Sequence, residues 1–129
     1  IGEAIIKSKA KVVYNCNLVN KKGHTEKFFL EDYIDSINNY IGKERINAVV
    51  FNNKKPDARL IKRYQEKKEI LVKIKNSELI GKSCKIIEAD VLNKNIPRYS
   101  RSDALFKQRA FIRHDSDKLA KEIFKIINC

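Results

Sequence analysis

Several residues on which protein function often depends are scarce in this 129-residue chain. The three cysteines are widely spaced and form no C-x-x-C pair, which argues against a disulfide framework and a zinc site and for a reducing compartment. The two histidines lie in different segments, so a metal site has little support. Because no apolar run approaches the length of a bilayer and no secretory signal is visible, we expect a cytoplasmic protein without a membrane span.

Motifs that mark nucleotide sites and hydrolases are also missing. The chain has no G-x-G-x-x-G, no G-x-x-x-x-G-K-[ST], no G-x-S-x-G and no H-E-x-x-H. A pair of Cys16 with a histidine is conceivable as a nucleophile, but a cysteine within a strand is more often a packed thiol. We therefore predict no catalytic residue, metal or cofactor. Since methionine is absent and the chain starts at Ile1, we expect a fragment of a longer protein.

The charge of the chain is strongly positive, with a formal net charge of +12. Basic residues concentrate in residues 54–75 and 94–113. Such an excess attracts the phosphates of nucleotides, phosphosugars or nucleic acids. Aromatic residues are not interleaved with the basic runs as they are in single-strand binders, so a nucleic-acid-binding module is the least favoured of the candidate functions.

Strand-like and helical patterns alternate along the chain, which predicts one α/β domain over residues 1–129 with a mostly parallel sheet and helices packed on its faces. Strands are predicted over residues 11–18, 46–51, 70–74 and 85–91. Helices are predicted over residues 1–10, 30–41, 56–68 and 116–127, with a helical turn over residues 76–80. In the last helix the apolar positions Leu119, Ala120, Ile123, Phe124 and Ile127 are expected to face inward. Residues 93–112 form a long basic loop, and loops of that length are usually functional or disordered.

Polar side chains follow two of the predicted strands. Asn17 and Thr25 lie in the loop after the first strand, and Asn52 and Asn53 end the strand over residues 46–51. In parallel sheets the loops at the carboxyl ends of the strands hold small ligands, so these four residues are candidate ligand contacts. The alternative, which the loop after the first strand favours when taken alone, is an ordinary polar connection that only caps the strand ends.

Two further candidates lie in or beside the predicted helices. Arg113 precedes the last helix, where a phosphate would meet both the guanidinium and unpaired N–H groups. Its alternative role is a surface pair with Asp115 or Asp117. Tyr64 continues the apolar stripe of its helix and is by default a core residue, although its ring could stack on a base.

The order of short motifs resembles a known family. These motifs are C-N-L-x-x-x-x-G-x-T over residues 16–25, then Asp32 at a helix start, N-N at 52–53, R-Y at 63–64, E-A-D at 88–90 and R-H-D at 113–115. In this order they resemble the carboxyl-terminal part of the gluconeogenesis factor (YvcK-like) family. That family is related to the 2-phospho-L-lactate transferases (CofD-like). The chain departs from the family pattern at His24, where an acidic residue is usual, and at Lys54, where a glycine is usual.

The resemblance implies a fold, a ligand and a role. It implies a Rossmann-like sheet, of which this chain is the carboxyl-terminal portion, and binding of a UDP-sugar such as UDP-N-acetylglucosamine. The role implied is that of a bacterial, cytoplasmic regulator linking carbon metabolism to cell-wall synthesis and cell shape. Tyr64 and Arg113 match positions associated with nucleotide-sugar binding, and Ser116 matches a site that can be phosphorylated. The alternative is a CofD-like transferase that moves a phosphate-linked group from a nucleotide-activated donor. Homo-oligomerisation stays open.

Overall fold

A computed structural model describes residues 1–76, 84–95, 102 and 111–128. Within these residues helices and strands alternate, and the three strands form one parallel sheet in the order β1-β2-β3. The elements in chain order are α1 (Gly2–Lys7), β1 (Val12–Asn15), α2 (Leu30–Ile41), β2 (Ile46–Asn52), α3 (Ala58–Glu66), β3 (Lys85–Ala89) and α4 (Ser116–Ile127). The predicted α/β fold with a parallel sheet is confirmed.

The central strand β2 is buried on both faces. Successive strand residues point to opposite faces, and both Val49 and Val50 are fully buried at 0% exposure. Val49 packs with Leu30 and Tyr33 of α2, and α4 also packs against β2. A strand covered on both sides explains why the sequence over residues 46–51 is an almost continuous apolar run.

The ends of the two longest helices are fixed by local side chains and by glycine. The Asp32 carboxylate accepts a hydrogen bond from the Phe29 amide at 2.7 Å in the first turn of α2. Gly42 ends this helix with φ +84°, a left-handed conformation that glycine adopts readily. Asp115 caps α4 with its carboxylate. Both predicted helices, over residues 30–41 and 116–127, are therefore confirmed.

The predicted strand over residues 70–74 is wrong. Leu71 forms a single antiparallel bridge with Val19, and the Val72 amide donates to the Leu18 carbonyl at 3.1 Å. This segment is thus bonded to the loop after β1 and does not join the sheet. Strands β1 and β3 also end two to three residues earlier than their patterns predicted.

The prediction that all apolar positions of α4 face inward is wrong for three of them. Phe124 and Ile127 are 66% and 52% exposed, and Ala120 is exposed as well. The two remaining predicted positions, Leu119 and Ile123, are half-buried. Beside them, the Lys118 ammonium donates to the Leu92 carbonyl at 3.2 Å and pairs with Asp90 at 3.1 Å.

Two predicted features extend outside the described residues, namely most of the helical turn over 76–80 and most of the basic loop over 93–112. In the part of the chain that is described, no helix is both long enough and apolar enough to cross a membrane.

Candidate functional site

A cavity that contains predicted site residues lies at the carboxyl end of the sheet. Its volume is about 600 Å³, which falls within the range of small-molecule sites. Its walls are the loop after β1, the end of β2 with the residues that follow it, one residue of β3 and the segment over residues 71–75. The lining residues are Asn17, Leu18, Phe51, Asn52, Asn53, Lys54, Lys55, Leu71, Val72, Lys73, Ile74, Lys75 and Glu88.

Three of the predicted ligand contacts meet in this cavity. Asn17 and Asn53 are exposed there, and the Asn53 backbone amide is anchored to the Ala89 carbonyl at 3.0 Å. The Asn52 amide group has a structural task, because its Nδ2 donates to the Lys54 carbonyl at 2.6 Å and its Oδ1 accepts from the Val91 amide at 3.2 Å. Asn17 and Asn53 are therefore better placed than Asn52 to offer side-chain groups to a ligand.

The cavity is lined by four lysines and one acidic residue. Lys54 and Lys55 follow β2, whereas Lys73 and Lys75 come from the wall segment. Within the described ranges none of these four ammonium groups forms an ion pair, whereas Lys21, Lys118 and Lys125 elsewhere do. Since Glu88 is the one carboxylate among the described lining residues, this part of the lining favours an anionic ligand.

Thr25 does not line the cavity. Its hydroxyl accepts a hydrogen bond from the Lys21 amide at 2.9 Å, and its own amide donates to the Lys21 carbonyl at 2.9 Å. Gly23, with φ +77°, lies inside the turn that these bonds close. In this structure Thr25 holds the loop after β1 in shape.

Tyr64 lines a second, smaller cavity of about 130 Å³, which shares Leu71 and Lys73 with the larger one. Its hydroxyl accepts hydrogen bonds from the backbone amides of Phe111 at 2.7 Å and Ile112 at 3.3 Å. The neighbouring Arg63 places its guanidinium 4.2 Å from the centre of the Phe111 ring. Helix α3 thus holds the chain just before Arg113, a role that the helical stripe alone did not reveal.

Arg113 is exposed and its backbone is fixed, since its carbonyl accepts from the Asn93 amide at 2.9 Å. Two of the amides at the start of α4 that a phosphate would use are already bonded, because the Asp115 carboxylate accepts from Asp117 at 3.1 Å and Lys118 at 3.0 Å. The cap therefore competes with an anion at this helix start. Ser116, the first residue of α4, is exposed.

The histidine and the cysteine closest to the site are not arranged for nucleophilic catalysis. His114 Nε2 lies 3.1 Å from the Cys16 carbonyl oxygen, whereas the Cys16 thiol donates to the Asn17 carbonyl at 3.3 Å. Burial raises the pKa of Cys16 to about 12 and lowers the pKa of His114. Cys16 is 1% exposed and thus behaves as the packed thiol that the strand pattern suggested. Among the described residues no group of acidic, cysteine and histidine side chains could hold a metal ion.

Sequence reasoning missed the lysines of the wall and the residue that fixes the loop before α2. Lys73 and Lys75 alternate with Val72 and Ile74, a pattern that predicts a strand, but all four residues line the cavity. Asn20 is buried at 2% exposure and accepts a hydrogen bond from the Tyr33 hydroxyl at 2.8 Å. No local pattern marks an asparagine in a polar loop as buried.

Known families and structures place this architecture among related proteins. A family model described as 2-phospho-L-lactate transferase CofD matches residues 1–92. The chain is 30% identical over 127 residues to a putative gluconeogenesis factor of Clostridium acetobutylicum, covering 98% of this chain and 25% of that protein. It is 32% identical over 126 residues to a putative gluconeogenesis factor of Thermotoga maritima, covering 98% and 37% respectively.

A solved structure shows the same fold. The crystal structure of a UPF0052-family protein from Bacillus halodurans superposes with a TM-score of 0.76 at 20% sequence identity, over 96% of this chain and 36% of that one. The chain thus spans between a quarter and three-eighths of the length of these relatives. The resemblance to gluconeogenesis factors that the ordered motifs indicated is confirmed by these similarities.

Proposed function

The chain belongs to the CofD family, and from this premise we propose that it binds a UDP-sugar of the UDP-N-acetylglucosamine type. The single observation that carries the proposal is the lysine-lined cavity at the carboxyl end of the parallel sheet. Ligands bind at that end of open α/β sheets, and lysine ammonium groups attract the phosphates of a nucleotide sugar.

The cavity offers a matching group for each part of such a ligand. The four lysines suit the diphosphate, and the side chains of Asn17 and Asn53 offer the amide donors and acceptors that sugar hydroxyls or a base require. Tyr64 borders the same region from the second cavity, and Arg113 follows the segment that Tyr64 holds. Both residues stay in the proposal as contributors to binding.

The role that we propose is regulatory. Relatives of this chain are named gluconeogenesis factors, and a ligand that reports on sugar-nucleotide supply would couple carbon metabolism to cell-wall synthesis and cell shape. We propose a cytoplasmic location on the same ground.

Phosphorylation of Ser116 would add negative charge three residues from Arg113 and would weaken anion binding there.

The test is a calorimetric titration of the full-length protein with UDP-N-acetylglucosamine. We expect saturable binding, weakened by Arg113→Ala by about tenfold to a hundredfold, the cost of a charge-assisted contact. The control is Arg59→Ala, an exposed arginine of α3. Neither arginine is among the described lining residues of the two cavities, and only Arg113 adjoins the segment that Tyr64 holds. No heat of binding with any UDP-sugar would overturn the proposal.

The second candidate is a CofD-like transferase, which the family match over residues 1–92 favours. Its reaction would move a phosphate-linked group from a nucleotide-activated donor to an acceptor. Among the described residues that line the cavity, Glu88 is the one carboxylate that could serve as an acid or base. Incubation with nucleotide-activated lactyl phosphate and a deazaflavin should give no product under the regulatory proposal, and product formation would reverse the ranking.

A further inference from the structure

One wall of the cavity is a segment of chain that stands apart from the sheet. Residues 71–75 form this wall, and two of them are the lysines Lys73 and Lys75. Because the segment is not part of the ladder of β1, β2 and β3, other contacts must set the positions of its side chains. Its first residues are bonded to the loop after β1, and its last residues are bonded to the first turn of α2.

Two residues at the start of α2 form hydrogen bonds with the wall. The Leu30 amide donates to the Lys73 carbonyl at 2.9 Å. The Glu31 carboxylate then accepts two hydrogen bonds from the Lys75 amide, at 2.9 Å to Oε1 and 3.2 Å to Oε2, and a further one from the Asn76 amide. The Glu31 side chain thus fixes the backbone at the end of the wall.

We propose that Glu31 is a positioning residue that holds Lys75 at the cavity so that its ammonium group meets the diphosphate of the bound ligand. The proposal rests on the proposed function in taking this cavity as the ligand site. Glu31 does not line the cavity, so it acts through Lys75 and not by contact with the ligand.

The geometry explains why the carboxylate does not neutralise the lysine that it positions. Both oxygens of Glu31 are directed at backbone amides, and no ion pair between Glu31 and Lys75 is formed. A carboxylate bonded to two successive N–H groups is a strong, charge-assisted anchor. The ammonium group of Lys75 therefore stays available to an anion while its backbone is fixed.

The experiment measures binding of two probes, UDP-N-acetylglucosamine and inorganic pyrophosphate, to the full-length protein. The variants are Glu31→Gln, Lys75→Met and the combination of both. Asp35→Asn is the matched control, because Asp35 is an exposed acid one turn further along α2. Lys43→Met controls for the loss of one exposed lysine away from the cavity.

We expect Lys75→Met to weaken binding of both probes by about tenfold and Glu31→Gln by about fivefold, with both controls unchanged. In the Lys75→Met background, Glu31→Gln should change affinity by less than about twofold, because residues that act through one another are not additive. Backbone amide exchange at residues 75 and 76 should also become faster in Glu31→Gln, a direct readout of the released anchor.

The outcomes separate the two proposals. If UDP-N-acetylglucosamine binds but Glu31→Gln behaves like Asp35→Asn, or if the two substitutions are additive, the role of Glu31 is wrong and the proposed function stands. If only pyrophosphate binds and its affinity depends on Glu31 and Lys75, the nucleotide-sugar proposal is wrong and the role of Glu31 stands. If neither probe binds, both are wrong. Should Glu31→Gln not fold, full affinity in Lys75→Met alone would overturn the inference.

Discussion

The two ends of the parallel sheet use their basic residues in different ways. At the amino end, Arg45 precedes β2 and donates to the backbone carbonyls of Ile5 at 3.2 Å, Ser8 at 2.9 Å and Ala10 at 3.0 Å. At the carboxyl end, four lysines line a cavity and none of them is paired within the described ranges. The net charge of +12 therefore contains two populations. Cations bonded internally stabilise the fold, and cations left beside a cavity are available to a ligand.

The largest effect is expected at the amino end, for Arg45→Ala. The substitution removes three hydrogen bonds that join α1 and the following residues to β2, and we expect a loss of about 2–3 kcal/mol in the free energy of unfolding. Urea denaturation measures this loss. At a temperature where the variant is folded, its affinity for UDP-N-acetylglucosamine should be unchanged. A parallel loss of affinity would contradict the division into cations that stabilise the fold and cations that bind the ligand.

At the carboxyl end we expect the double substitution Lys54→Met and Lys55→Met to weaken ligand binding and to leave the free energy of unfolding almost unchanged. Removing two unpaired cations from the lining should weaken UDP-N-acetylglucosamine binding by at least about tenfold, and should change the free energy of unfolding by less than about 0.5 kcal/mol. The matched control is Lys43→Met with Lys62→Met, two exposed lysines outside the cavity. Equal affinities in the two double variants would contradict this assignment.

Tyr64→Phe should have an intermediate effect on both the free energy of unfolding and ligand binding. Loss of the hydroxyl removes the acceptor that holds the Phe111 and Ile112 amides, and we expect about 1–2 kcal/mol of destabilisation. Calorimetry should show weaker ligand binding in the same variant, and this loss should vanish in an Arg113→Ala background if Tyr64 acts by holding the chain before Arg113. Additive losses would instead indicate that Tyr64 touches the ligand directly.

The smallest effect concerns pH. Burial lowers the pKa of His114 below its ordinary value of 6.5, so the unfolded chain takes up a proton before the folded one does. The contribution of His114 to the free energy of unfolding is therefore fully present above pH 6.5. It is lost as the pH falls below this value, until the folded histidine is protonated as well. His114→Gln should flatten the urea-denaturation profile between neutral and mildly acidic pH, whereas His24→Gln, at an exposed position, should leave it unchanged.

The sequence was informative where the cause of the structure is local. Asp32, Gly42 and Asp115 act on the helix that carries or adjoins them, so the limits of α2 and α4 could be predicted. The apolar run of β2 indicated burial on both faces, and the strand end at Asn52 and Asn53 indicated one wall of the cavity. Each of these features can be recognised from residues that are close together in the sequence.

The sequence failed where the cause is a contact between distant residues. The wall over residues 71–75 has the alternation of a strand, but its partners are the loop after β1 and the start of α2. Helical periodicity gives the apolar stripe of α4 but does not say which edge of the stripe is covered, and Ala120, Phe124 and Ile127 are exposed. The hydroxyl of Tyr64 likewise found its partners 47 and 48 residues away.

The most direct test of the difference between the two ends is an amide NMR titration of the full-length protein with UDP-N-acetylglucosamine. We predict saturable shifts at Asn17, Asn53, Lys73 and Lys75, with the amides of Ser8, Arg45 and Asn47 at the amino end unmoved. Shifts concentrated at the amino end, or no shifts at the carboxyl end under saturating ligand, would contradict the assignment of the lysine-lined cavity as the ligand site.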